Sequence, residues 1–117
     1  MGARRCITIL LVGADEMLLY TRAAVLRKTG SEVVTSDAAS AVAVQANRKC
    51  ELVVLCHSLP AEECISLAEA IRERWPKTRI LEVVPRKEWG AAEARAAVDG
   101  FSSPEPERLI GTTAELL

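Results

Sequence analysis

Residues 52–55, Leu-Val-Val-Leu, constrain this chain more than any other stretch. The run is unbroken, apolar and too short for a helix, and its two valines are β-branched. A strand buried on both faces reads this way, and such strands belong to parallel sheets covered by helices on each side. The run ends at Cys56, His57 and Ser58, and Pro60 then opens a helical segment. In an open parallel sheet the loop after a strand's carboxyl end is where ligands and chemistry collect. Here that place holds a thiol, an imidazole and a hydroxyl, with no carboxylate at the strand's end.

The rest of the chain alternates strands and helices around this run. Ile7–Val12 is the first strand. Met17, Leu18, Thr21 and Val25 recur at helical spacing and predict a helix over about residues 15–29, stopped by Gly30. Glu32–Ser36 is a second strand, followed by a helix over 38–48 with Ser36 or Asp37 as N-cap. Cys64, Leu67, Ala68, Ile71 and Trp75 form one face of the next helix, which Pro76 ends. Arg79–Val84 is the fourth strand, 87–97 an Ala-rich helix, Gly100–Ser103 a weak fifth strand, and a last helix runs from Pro104 to Leu117. Five β–α units with short connections predict one α/β domain over residues 1–117, a doubly wound parallel sheet with helices on both faces. Glu82 is the misfit in the fourth strand, and the expectation is that the strand is only partly covered there.

Composition excludes several function classes. The chain has 117 residues, a net charge of −1 and 26% charged residues, which leaves no electrostatic footprint for nucleic acid. No apolar run approaches the roughly 20 residues that cross a bilayer. The start lacks a small-residue cleavage site, and Cys6 stands where a myristoylation signal has Ser or Thr. A cytoplasmic protein with neither membrane nor nucleic acid as partner is expected. The four cysteines form no C-x-x-C pair and read as buried free thiols. Gly13 is the only glycine of the first β–α turn, so the dinucleotide fingerprint is missing. Cys56 and His57 are sequence neighbours on extended chain, and their side chains should point to opposite faces, against a nucleophilic pair. Zinc at Cys56, His57 and Cys64 would lack a fourth ligand. No cofactor, metal or catalytic residue is expected.

Over nearly its whole length the chain resembles the receiver domains of two-component response regulators, the CheY-like family. Residues 9–15, Ile-Leu-Leu-Val-Gly-Ala-Asp, are similar to that family's first strand and acidic loop, and residues 30–35 to its second strand. Residues 51–60 resemble the phosphoacceptor strand with its following Leu-Pro. Residues 71–76 resemble the end of the third helix, and 99–104 the fifth strand. The resemblance implies a flavodoxin-like sheet in the order 2-1-3-4-5 and a place in bacterial phosphorelay signalling.

Matched residue by residue, the chain departs from that family at every chemical position. Cys56 stands at the phosphoaccepting aspartate, and Gly13 and Ala14 stand at the two acidic residues that bind Mg²⁺. Asp15 is one place away. Val84 replaces the Ser/Thr that senses the phosphoryl group, and Ser103 replaces the lysine. Phosphoryl transfer needs a nucleophile and positive charge, and Mg²⁺ needs hard oxygen ligands. A pseudo-receiver that is no enzyme is therefore expected, working on another signalling protein or on a second copy. The family's helix 4–strand 5–helix 5 face would carry the contact, with Trp89, Arg95, Phe101 and Arg108 as interface candidates. No output domain follows Leu117, so a complete chain would signal through its partner. The alternative is a redox- or ligand-responsive domain using Cys56, whose pKa the following helix would lower.

Overall fold

Five strands, all paired in parallel, form a sheet in the order β2-β1-β3-β4-β5. They are β1 (Thr8–Val12), β2 (Glu32–Ser36), β3 (Leu52–Leu55), β4 (Arg79–Val83) and β5 (Gly100–Ser102). This computed structural model describes residues 7–56, 58–85 and 97–116. Residues 86–96, which include all of the helix expected over 87–97 but Ala97, with Trp89 and Arg95, lie outside the described residues, as do Cys6 and His57. The described helices are α1 (Glu16–Arg27), α2 (Ala41–Arg48), α3 (Ala61–Arg74) and α4 (Pro106–Leu116), the last being the C-terminal helix.

The alternation of side chains along the strands divides the core in two. Leu10, Val12, Val53, Leu55 and Ile80 face α2 and α3, meeting Ala41, Cys64, Leu67, Ala68 and Ile71. Ile9, Leu11, Leu52, Val54, Cys56, Leu81 and Val83 face α1 and α4, meeting Ala23, Leu26 and Leu109. Both faces of the sheet are thus covered by helices, and all four residues of β3 are fully buried. That is the condition that the Leu-Val-Val-Leu run implied.

The helix expected after β1 is present, but it turns a different side to the sheet. Met17 is 76% exposed and Thr21 is exposed, while Leu18 and Val25 are only half-buried. The inward stripe is Leu19, Arg22, Ala23 and Leu26, at the i, i+3, i+4, i+7 spacing of a helix face. Arg22 hides that stripe from a reading by hydrophobicity. Asp15 is the N-cap, its carboxylate accepting from the N–H groups of Met17 (2.9 Å) and Leu18 (3.2 Å).

Other boundaries shift by small amounts. α2 starts at Ala41 rather than 38, and neither Ser36 nor Asp37 is its N-cap. Asp37 accepts from the Ser40 N–H at 2.8 Å, and Ser36 donates to the Asp37 carbonyl, so both side chains build the turn before the helix. β4 and β5 each end one residue earlier than expected, at Val83 and Ser102. Among the described residues no helix is long and apolar enough to cross a membrane.

Candidate functional site

The carboxyl ends of β1 and β3 bring Gly13 and Cys56 together. The ladder runs one residue past each strand: the Cys56 N–H donates to the Val12 carbonyl at 2.9 Å, and the Gly13 N–H to the Ser36 carbonyl at 3.1 Å. A Cβ on Gly13 would lie 3.3 Å from the Cys56 Cβ, 3.2 Å from the Ser58 Oγ and 3.0 Å from the Leu19 Cδ2. A side chain at position 13 therefore requires Leu19 to move. The Ala14 N–H donates to the Ser58 Oγ at 3.0 Å, which ties the β1–α1 loop to the β3–α3 loop across the site.

Cys56 has no exposed surface. Burial pushes its thiol above the ordinary 9.0, while the Arg22 guanidinium beside it pulls the other way and hydrogen-bonds the sulfur. The thiol stays protonated at neutral pH and presents no surface to solvent. The expectation that the following helix lowers this pKa is overturned, because desolvation outweighs every favourable neighbour.

Arg22 is the residue that the sequence reading missed. A cation does stand beside position 56, but it comes from α1 rather than from the end of β5. The available signal was a basic residue at a core position, since Arg22 falls between Leu19, Ala23 and Leu26 on one stripe.

The remaining positions are locked into the sheet's end. Val84 is buried, and its N–H donates to the Ser102 carbonyl at 2.8 Å. Ser103 is buried, and its hydroxyl donates to the Glu105 carboxylate at 3.1 Å. Phe101 is half-buried on β5, while Arg108 is exposed on α4 and lies 3.8 Å from Glu105. Glu82 is only 3% exposed, which corrects the expectation of a partly covered strand. β4 is an interior strand, and Glu82 is flanked in register by Leu55 of β3 and Phe101 of β5.

These residues do not fit a Mg²⁺ ion. Gly13 and Ala14 have no side-chain oxygen, the sulfur of Cys56 is a soft ligand in an apolar setting, and the Asp15 carboxylate is engaged by the first turn of α1. Among the described residues no three His, Cys, Asp or Glu side chains gather as a metal site. What opens beside Gly13 and Ala14 is a surface cleft of about 520 Å³ bordered by Glu16, Tyr20, Thr35 and Asp37.

No protein-family model matches this sequence, and no curated protein matches it. Solved structures do match the fold. The chemotaxis response regulator CheY4 of Vibrio cholerae superposes with a TM-score of 0.82 at 20% identity, over 97% of this chain and 100% of that one. The signal receiver domain of an HD domain-containing protein from Pseudomonas fluorescens gives 0.82 at 22% identity, over 100% and 90%. A CheY-like response regulator receiver domain protein from Methanospirillum hungatei gives 0.79 at 22% identity, over 95% and 93%. The fold is that of the CheY-like receiver domains, flavodoxin-like with the order 2-1-3-4-5.

Proposed function

We propose that this chain is a signalling domain of the two-component receiver type that acts by protein–protein contact, in the cytoplasm, without being phosphorylated. The observation that carries this reading is the buried thiol of Cys56 beside a crowded Gly13. Leu19 crowds the space beside Gly13, where a side chain would press on its Cδ2, and Cys56 has no exposed surface. A phosphoryl group there would meet a protonated thiol without exposed surface and no metal-binding carboxylate, so neither the nucleophile nor the metal ion's charge is provided. On this reading the domain catalyses nothing and carries no cofactor.

Its output is a fixed surface. Val84 has no hydroxyl to be drawn toward a phosphoryl group, so no ligand-linked shift between two states is built in at this position. A fixed face still binds, and the edge formed by β5 and α4, with Phe101 and Arg108, is the proposed contact for another signalling protein or a second copy. Trp89 and Arg95, outside the described residues, belong to the same proposal, with Trp89 as the aromatic anchor. The redox alternative draws no support from a fully buried thiol whose pKa is raised.

Two measurements test the proposal. Incubation with acetyl phosphate and Mg²⁺ should give no phosphoryl adduct by intact mass; a stoichiometric adduct contradicts it. Trp89→Ala should weaken partner association while leaving the melting temperature unchanged; association as tight as wild type removes Trp89 from the interface.

A further inference from the structure

Among the described residues, the outward side of α1 leaves the most large apolar side-chain surface uncovered. Among the described residues the exposed large hydrophobic side chains are Met17, Tyr20 and Ile65, and the first two, each 76% exposed, stand one turn apart on α1. Tyr20, Thr21, Ala24 and Lys28 continue the stripe from Met17 at i+3, i+4, i+7 and i+11, all exposed. A hydrophobic strip on a solvent-facing helix marks a contact surface rather than a core.

Charge decides what fits it. Glu16 stands at the amino end of α1 and borders the cleft that it shares with Asp37. Lys28 stands at the carboxyl end, beyond Arg27, whose guanidinium is committed to the Val33 carbonyl at 3.2 Å. Among the described residues neither Glu16 nor Lys28 makes an ion pair. The stripe is therefore acidic at one end, apolar in the middle and basic at the other. Such a surface is complementary to itself when two copies run antiparallel, and the opposed helix dipoles add to the match.

We propose that α1 is an isologous two-fold interface, with the α1 helix of a second copy packed antiparallel across Met17, Tyr20 and Ala24. Pairing Glu16 with Lys28 of the second copy sets the axis level with residue 22. Tyr20 then lies over Ala24 of the second copy, a large side chain on a small one, and the same contact is repeated by symmetry. Each Lys28 reaches the acidic border of the facing cleft. The contact is one helix long, about 18 Å, smaller than a standard stable interface, so the dimer is weak and concentration-dependent. It also leaves the β5 edge, at the other end of the sheet from β2, free for a different protein.

Sedimentation velocity of the full chain over a wide concentration range tests this. The wild type should pass from monomer to dimer as concentration rises. Tyr20→Glu should weaken the dimer at least ~tenfold, as loss of a central aromatic anchor does, with an unchanged melting temperature because the side chain is exposed. Glu16→Lys alone should also weaken it, and Glu16→Lys with Lys28→Glu should restore it, since only an antiparallel self-contact exchanges those two charges. Ala24→Glu carries the same prediction as Tyr20→Glu should that variant fail to fold. A wild type that stays monomeric at millimolar concentration overturns the proposal. So does a dimer indifferent to Tyr20→Glu and Ala24→Glu, or a charge swap that does not restore association.

Discussion

At the carboxyl end of β3 the Arg22 guanidinium stands against the buried Cys56 thiol. A carboxylate placed there by Cys56→Asp would be desolvated, with Arg22 as its compensating neighbour. The variant should lose about 1–3 kcal/mol in urea unfolding. In an Arg22→Met background the loss should exceed the sum of the two single changes by about 1 kcal/mol, because the carboxylate then has no cation. An unchanged midpoint for Cys56→Asp would mean that water reaches the site. The thiol itself gives a pH prediction. Its folded pKa lies above 9.0, so the native state holds a proton that the unfolded chain releases, and the associated stability is complete below pH 9.0 and is lost as pH rises further. Cys50 shifts in the same direction, so Cys56→Ala should flatten the alkaline decline of the melting temperature without abolishing it. A decline as steep as wild type would contradict the burial of Cys56.

At the scale of elements, the strands were easier to read than the orientation of the helices. β3 is a continuous apolar run, β1 is one after Thr8, and β4 is interrupted only at Glu82 after its opening Arg79, so all three read as strands of a covered parallel sheet. α1 was placed correctly along the chain and wrongly about its axis, because the residue that completes its buried stripe is an arginine. α2 was capped wrongly because Asp37 serves a turn instead. One tie between elements has no sequence signature at all. Arg72, near the end of α3, donates from Nη1 to the carbonyls of Pro76 (2.8 Å) and Thr78 (2.9 Å) and from Nη2 to that of Ala97 (3.1 Å), and it pairs with Asp99. Asp99 in turn accepts from the Ile80 N–H at 2.7 Å, so one side chain fastens α3 to the start of β4 and the approach to β5. Arg72→Lys keeps the charge but not the planar fork, and should cost roughly 2 kcal/mol, with early loss of amide protection at 97–102. Protection equal to wild type there would show that β5 is held by other contacts.

For the whole molecule, the alternation of strands and helices made the fold class legible, and the resemblance to receivers supplied the strand order. The five departures from the receiver pattern rest on the resemblance, as residue types at matched places. What packs against Gly13 and Cys56 could not be read, because it depends on which side of α1 faces the sheet. Leu19 against Gly13, and Arg22 against Cys56, appear only when that rotation is fixed. They leave Gly13 crowded and the Cys56 thiol buried beside the surface cleft. A titration of the ¹⁵N-labelled protein with beryllofluoride and Mg²⁺, followed by amide shifts, tests this site most directly. The account predicts no saturable change at residues 13–15, 56 and 58 or along 81–84 and 100–103. Saturable shifts clustered at those positions would show that the site still receives a phosphoryl-like group, and would contradict it.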